Sequence, residues 1–131
     1  MKAVDTTFLI DVLRKRPDAV AKAIALDDEP FVFTTEANVY EIVVGIKKDA
    51  VLGHALSDLE KLLSTISVLQ LDHKASVKAG LISRALMLKG EMIDDIDCLT
   101  AGILLTNGCN TIITRNAKHF EKIKEMKVER Y

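Results

Sequence analysis

The chain has 131 residues, of which 49% are apolar and 28% are charged, a size and composition typical of one folded domain. A formal net charge of −1 argues against a protein that coats nucleic acid through a strongly basic surface. No apolar run approaches the roughly 20 residues that a membrane helix needs, and no signal peptide is recognisable. We therefore expect a cytoplasmic protein without a membrane partner.

Strand-like and helical patterns alternate from the first residues to the last. The predicted strands are 2–5, 31–35, 67–71, 111–114 and, as an edge strand, 127–131. The predicted helices are 8–16, 18–26, 35–49, 50–66, 72–90, 95–108 and 117–123. This order predicts a single α/β domain over residues 1–131, with three layers and a central, mainly parallel sheet of four to five strands.

The first predicted strand ends in a carboxylate, Asp5, and two hydroxyl residues follow, Thr6 and Thr7. Either threonine is expected to cap the next helix. A charged group is almost never buried without a partner. Because ligands of parallel sheets bind at the carboxyl ends of strands, where the strand order reverses, Asp5 is a candidate site residue.

A second unusual carboxylate is Glu41, in a helix that is apolar nearly all round and is therefore predicted to be buried. Its one small or polar stripe runs through Asn38, Glu41 and Gly45. Glu41 is thus expected to face a place that tolerates charge. The alternative is an ion pair with a nearby Lys or Arg.

Three aspartates open the helix that begins near residue 95, where caps and the helix dipole favour carboxylates. For Asp94 we expect a plain capping role. Asp97 lies inside the first turn, is followed by the small residues Ala101 and Gly102, and is a candidate site residue. Asp95 points about a third of a turn away from the face that Asp94 and Asp97 share.

The segment "IITRN" places Arg115 and Asn116 just past the carboxyl end of a β-branched strand. Asn116 is a fourth candidate, with the alternative that it only starts the next helix; the alternative for Arg115 is a solvated side chain. No histidine fits a nucleophile–base pattern, so we expect surface or packing roles for His54, His73 and His119. The two cysteines are expected to be free thiols.

The candidate residues are predicted to meet in one crevice. Three carboxylates that lie close together repel one another, and they stay ionised together only beside a compensating cation. Oxygen ligands, without a Cys or His set, favour the hard ions Mg²⁺ and Mn²⁺. Asp5 is therefore expected to share a divalent ion with Glu41 and Asp97.

Three stretches resemble the motifs of the PIN domain family, and together they span essentially the whole chain. "VDTTFLIDVLR" resembles the family's opening, and "TTEANVYEIVVGI" resembles its second motif. "DIDCLTAGILLTNGCNTIITRNAKHFEKI" is similar to its third and fourth motifs. The fourth acidic position of the family is often Asp but is Asn116 here, and nearby Asp95 is expected to replace it in part. The size fits the VapC-type members.

The resemblance implies a divalent-metal-dependent endoribonuclease, usually the toxin of a toxin–antitoxin pair. The implied cofactor is Mg²⁺ or Mn²⁺, the implied partners are RNA, a cognate antitoxin and a second copy in a homodimer, and the expected products are a 3′-hydroxyl and a 5′-phosphate. Asp5 and Asp97 would be the principal metal ligands. Glu41 would be a further ligand or would hold a water, and Asp95 would lie near the ion.

The resemblance also assigns the remaining site residues. The catalytic set would be Asp5, Glu41 and Asp97 with Asn116, whose amide would orient a water or a ligand. Thr6 would bind Asp5 or a scissile phosphate through its hydroxyl, and Arg115 would hold a phosphate oxygen.

Two alternatives belong to other functional classes. The first is a catalytically silent PIN-like domain that only binds RNA or a protein partner. The second is a haloacid-dehalogenase-type phosphatase, which also has an Asp at a strand end, here with Thr7 two residues later. In that family the distal acids follow an apolar strand, whereas "LKGEMI" is a poor strand and "DIDCLTAG" opens a helix.

Overall fold

The computed structural model describes all 131 residues, and a sheet of five strands lies at its centre. Every pair of neighbouring strands is parallel, which confirms the predicted α/β architecture. The strand order is β3-β2-β1-β4-β5. The strands are β1 Lys2–Val4, β2 Val32–Thr35, β3 Ser67–Leu69, β4 Thr111–Ile113 and β5 Lys127–Glu129.

The first strand of the chain is the middle strand of the sheet. Ala3 lies opposite Phe33 of β2 on one side and opposite Ile112 of β4 on the other. The chain builds outward through β2 and β3, then crosses to the other side of β1 to form β4 and β5. The strand order therefore reverses between β1 and β4, and Asp5 and Thr114 directly follow these two strands.

Seven helices cover the sheet, and none of them is both long and apolar enough to cross a lipid bilayer. As predicted, the helices His73–Leu88 and Asp95–Thr106 end before glycines with positive φ, Gly90 at 68° and Gly108 at 77°. The helices are α1 Thr6–Leu13, α2 Pro17–Ala25, α3 Glu36–Val44, α4 Leu52–Leu63, α5 His73–Leu88, α6 Asp95–Thr106 and α7 Ala117–Phe120. Short 3₁₀ turns lie at Leu26–Asp28 and Asp49–Val51.

The buried core is divided between the two faces of the sheet. Successive strand residues point to opposite faces, so Ala3 and Ile112 belong to one apolar cluster and Val4 and Ile113 to the other. On the first face α6 packs closely against α5 at Gly102. A Cβ atom there would lie 2.6 Å from Cβ of Ala79 and 2.8 Å from the carbonyl oxygen of Ala75, so only glycine fits. This contact fixes α6, the helix that carries Asp97.

Helix α3 is not buried, contrary to the prediction from its apolar composition. It packs inward through Ala37 and Ile42, while Tyr40 is 63% and Val44 is 58% exposed. Its inner face contacts α1 and α6, and no further layer of the fold covers its outer face. Helix α3 therefore has one apolar face that is exposed to solvent.

Candidate active site

Asp5 is buried at the seam between β1 and β4, with 2% of the residue exposed. The carboxylate, rather than either following threonine, caps α1: Oδ1 accepts a hydrogen bond from the Phe8 backbone N–H at 3.2 Å. Oδ1 also accepts from the Thr7 hydroxyl at 2.7 Å, and Oδ2 accepts from the Thr114 hydroxyl at 2.5 Å. The expected threonine cap is therefore wrong, because the Asp5 carboxylate accepts the hydrogen bond from the N-terminus of α1.

The two hydroxyls that hold Asp5 also fix the loop after β4. Thr7 Oγ1 accepts from the Arg115 N–H at 3.0 Å, and Thr114 Oγ1 accepts from the Asn116 N–H at 2.8 Å. The sequence did not identify Thr7 or Thr114 as residues that orient the carboxylate. The only sequence signal is that each hydroxyl residue comes just after the end of a strand.

Burial raises the pKa of Asp5 from 3.8 to about 6, although the hydrogen bonds from Thr114, Thr7 and Phe8 act in the opposite direction. The negative charge of Asp97 raises the pKa further. None of the groups that donate to Asp5 is a cation. The protein thus places a carboxylate in a buried position without supplying a counter-charge for it.

Asp97 lies in the first turn of α6 and is 4% exposed. Its Oδ2 lies 2.5 Å from Nδ1 of His119, which belongs to α7. Burial is the main cause that raises the pKa of Asp97, and the charges of Glu41 and Asp94 raise it further. The hydrogen bond and the charge of His119 lower it. Asp97 is therefore near three acidic side chains, including Asp5, and one imidazole.

His119 is the site residue that the sequence reading missed, since a surface or packing role was predicted for it. It lies 22 positions after Asp97 in the chain, on a helix of four residues. The only available signal was its place three residues after Asn116. Contact between α6 and α7 brings the imidazole to the carboxylate, and no local pattern encodes that contact.

Glu41 is half-buried on the inner side of α3 and forms no ion pair, so the predicted alternative of a salt bridge with Lys or Arg is not found. Its charge acts on Asp97. The helix is held by Asn38, one turn earlier, whose side chain accepts from the Thr35 hydroxyl at 2.9 Å and donates to the Thr6 hydroxyl at 3.1 Å. As predicted, Thr35 caps this helix.

Asp94, rather than Asp95, accompanies Asp97. One possible ligand atom from each of Asp94, Asp97 and His119 lies within 4.8 Å of the other two, and Asp95 does not belong to this group. Asp94 occupies the N-cap position of α6, but its side chain makes no capping hydrogen bond, contrary to the expected capping role. Residues three apart share a helix face, so Asp95 is turned away and its expected place among the metal ligands is not supported.

Two predicted substrate-binding residues have other partners in the structure. The Thr6 hydroxyl contacts Asn38 and not Asp5, so it joins α1 to α3. The Arg115 guanidinium pairs with Asp11 at 2.8 Å and with Asp18 at 3.3 Å. Both side chains thus have partners on the protein, although the Thr6 hydroxyl only accepts in this bond and Arg115 is exposed, and their contact with a phosphate stays a prediction.

Arg115 also lies over the ring of Tyr131, 5.2 Å from its centroid. The hydrogen bond with Tyr131 is the main cause that raises the pKa of Arg115. Asn116 stands at the start of α7, as its alternative reading predicted, but its side chain makes no capping bond. The side-chain amide of Asn116 therefore has no hydrogen-bond partner within the protein that would give it a structural role.

The donor chemistry of this cluster suits a divalent metal ion. The cluster contains two buried carboxylates, one half-buried carboxylate and one exposed carboxylate. Their negative charges repel one another, and none of them is paired with a Lys or Arg. Burial without a counter-ion disfavours the ionised carboxylates, whereas a bound cation would favour them. The cluster consists of Asp5, Glu41, Asp94 and Asp97, with His119 beside Asp97.

Comparison with known proteins gives a family and a consistent fold. The family model described as "PIN domain" matches residues 2–126. The chain is 24% identical over 126 residues to the tRNA(fMet)-specific endonuclease VapC of Salmonella typhimurium, covering 96% of this chain and 94% of that protein.

Solved structures with this fold include complexes of toxins with antitoxins. VapBC2 from Rickettsia felis, bound to a DNA fragment from its promoter, superposes with a TM-score of 0.87 at 21% identity and covers 99% of this chain and 98% of that one. A toxin–antitoxin complex from Klebsiella pneumoniae superposes with a TM-score of 0.72 at 20% identity, covering 97% and 96% of the two chains.

Proposed function

Because the chain belongs to the PIN domain family, we propose that it is a divalent-metal-dependent endoribonuclease that hydrolyses RNA phosphodiester bonds. The observation that carries the proposal is the placement of Asp5 and Asp97, two buried carboxylates that act on each other and have no Lys or Arg partner. A protein that buries two like charges near each other gains from a cation between them.

Mg²⁺ or Mn²⁺ is the cation that this donor set favours, because carboxylate oxygens are hard ligands. When bound, such an ion lowers the pKa of a water and stabilises the negative charge that develops on the phosphate. Asp5 and Asp97 are the principal ligands in this proposal, with Glu41 and Asp94 at the sides. The Asn116 amide orients a water or a ligand.

The chain's own contribution is to hold these carboxylates in place. Asp5 accepts three hydrogen bonds, from the hydroxyls of Thr7 and Thr114 and from a helix N-terminus, so both of its oxygens are oriented. Partners that orient metal ligands typically change metal affinity or activity by about 10- to 100-fold. Thr7 and Thr114 are positioning residues in this sense.

The proposed partners are RNA and a cognate antitoxin, with a homodimer as the assembled form. Structures with the same fold pair a toxin with an antitoxin. Beside the exposed face of α3, a groove of about 450 Å³ runs between α1, α3 and α4, lined by apolar side chains such as Leu13, Ile42 and Val51. An exposed apolar face of this kind supports a protein partner. Two free, buried cysteines fit the proposed cytoplasmic location.

The test is cleavage of labelled single-stranded RNA by the purified protein, with Mg²⁺, Mn²⁺ or EDTA, beside an Asp97→Asn variant. We expect cleavage only with metal, products with a 3′-hydroxyl and a 5′-phosphate, and no cleavage by the variant. Cleavage that persists in EDTA, or in the variant, would count against the site. Binding of RNA without any cleavage in Mn²⁺ would favour the silent-domain alternative. Trapping of a phosphoryl-aspartate with beryllofluoride would favour the phosphatase.

A further inference from the structure

The imidazole of His119 has no role in the proposed function as stated, yet it makes the one side-chain hydrogen bond of Asp97. Its Nδ1 lies 2.5 Å from Oδ2 of that carboxylate. An ionised carboxylate only accepts hydrogen bonds, so a nitrogen at this distance must carry the proton. Beside an ionised Asp97, Nδ1 is therefore the nitrogen that donates.

The position of the ring is set by its neighbours on α7 and not by Asp97 alone. Ala117 and Phe120 are 1% and 0% exposed, and Phe120 belongs to the apolar cluster that also includes Cys98 and Ala101 of α6. The backbone N–H of His119 donates to the carbonyl oxygen of Asn116 at 3.1 Å. The imidazole thus stands on an anchored turn and meets the carboxylate from a fixed direction.

Asp97 needs such a support more than Asp5 does. Glu41 and Asp94 repel its charge, and the structure gives it no hydroxyl or helix N–H donor of the kind that Asp5 has. Only His119 favours its ionised form. A carboxylate in a repulsive surrounding turns away from its neighbours unless another group holds it.

We propose that His119 is a positioning residue of the metal site, whose Nδ1–H holds Oδ2 of Asp97 so that the carboxylate keeps one orientation for a divalent ion. This inference rests on the proposed function, since it assumes that Asp97 binds the ion. The chemistry is that of a ligand-orienting hydrogen bond, in which the imidazole acts through the carboxylate and does not touch the substrate.

The experiment uses two variants of the full chain, His119→Asn and His119→Leu, whose new side chains are similar to each other in size and branching. The Asn amide keeps an N–H donor at the δ position, whereas the Leu side chain of similar size has none. His54→Leu, at an exposed histidine on α4, controls for Mn²⁺ that binds non-specifically to a surface imidazole. Mn²⁺ affinity is measured from the paramagnetic resonance signal of the free ion, and melting temperature is measured in EDTA.

We expect His119→Leu to bind Mn²⁺ about 10- to 100-fold more weakly than the parent, the range for partners that orient metal ligands. His119→Asn should recover most of that loss, and His54→Leu should bind as the parent does. RNA cleavage by His119→Leu should return in part at raised Mn²⁺, since the defect lies in metal binding. A merely structural role would instead lower the melting temperature in EDTA and leave Mn²⁺ affinity unchanged.

The proposal is overturned if His119→Leu binds Mn²⁺ as tightly as the parent, or if His119→Asn is no better than His119→Leu. Should the Leu variant not fold, His119→Ala removes the same donor at this partly exposed position and takes its place. If the parent binds no Mn²⁺ and cleaves no RNA, the proposed function itself fails. Tight binding by both the parent and the Leu variant removes only the role of His119.

Discussion

Two groups of buried carboxylates in this protein have opposite surroundings. Asp11 on α1 is 6% exposed and is paired with two guanidinium groups, Arg16 at 3.2 Å and Arg115 at 2.8 Å. The Tyr131 hydroxyl donates to it at 2.6 Å. Asp5, six residues earlier on the same segment, is equally buried and has only neutral donors.

The difference separates a structural carboxylate from a candidate metal ligand. Burial alone does not distinguish them, because both residues are almost inaccessible. What differs is whether the protein itself supplies the counter-charge. Where it does, as at Asp11, the carboxylate joins α1 to the loop after β4. Where it supplies only neutral donors, as at Asp5, or a single imidazole, as at Asp97, a bound metal ion would supply the missing positive charge.

The largest effect that this comparison predicts is the loss of metal-induced stabilisation in Asp97→Asn. A ligand that binds only the folded state stabilises it by about 2.7 kcal/mol at 100 times its dissociation constant. We expect the parent to melt at a higher temperature in Mn²⁺ than in EDTA, and the variant to melt at the same temperature in both. In EDTA the variant should be at least as stable as the parent, since one repelling charge is gone. A variant that still responds to Mn²⁺ would show that Asp97 is not a ligand.

Asp11→Asn should give the converse result. Removing a charged partner of two guanidinium groups and a hydroxyl should lower the free energy of unfolding by about 1–3 kcal/mol. The increase in melting temperature on adding Mn²⁺ should remain that of the parent, as measured by thermal denaturation in Mn²⁺ and in EDTA. If Asp11→Asn loses the metal response as well, the two groups of carboxylates do not have separate roles.

The pH dependence should show the same contrast. The folded-state pKa of Asp5 is raised from 3.8 to about 6, so its contribution to the stability of the metal-free protein is present at low pH and is lost as pH rises through about 6. The raised pKa of Asp97 acts in the same direction. Because a metal binds the ionised form, the stabilisation by Mn²⁺ should grow over this window.

The measurement is the difference between melting temperatures in Mn²⁺ and in EDTA, at about pH 5 and about pH 7.5. We expect the larger difference at the higher pH, and little pH dependence of that difference in Asp97→Asn. A difference that is the same at both pH values would mean that the buried carboxylates do not titrate with metal binding.

The smallest expected effect separates Asp94 from Asp95. Asp94 shares a helix face with Asp97 and lies in the same group as His119, whereas Asp95 does not. Asp94→Ala should weaken Mn²⁺ binding by about tenfold, at the low end of the range for residues around a metal ligand. Asp95→Ala is the matched control and should bind Mn²⁺ as the parent does. Reversed affinities, measured by titration calorimetry, would contradict the assignment of Asp94.

Much of the fold and part of the site were predictable from local sequence patterns. Short apolar or β-branched runs predicted all five strands, and a carboxylate directly after a strand predicted Asp5 at the reversal of strand order. Glu41 and Asp97 were predicted because each carboxylate lies in an otherwise apolar or small-residue helix. Each of these signals lies within one element of the chain.

What the sequence did not reveal depends on contacts between distant elements. The Thr114 hydroxyl reaches Asp5 across 109 positions, and Arg115 finds Asp18 across 97. Whether Arg115 faces a substrate or a carboxylate of its own chain is decided by the packing of α1 against the loop after β4. The exposure of Tyr40 likewise depends on which helix faces receive a neighbour, and composition does not encode that.

The central position of β1 has a consequence for synthesis on the ribosome. β1 leaves the ribosome first, but its neighbour β4 begins only at Thr111, so the sheet stays open at its middle strand for most of translation. The nascent chain carries Asp5 from the start, 109 positions before Thr114, whereas Asp97 precedes His119 by 22 positions. Domains form their non-local pairings only once both partners are available. The acidic cluster, with the side chains that orient it, is therefore completed only after β4 and α7 have been synthesised.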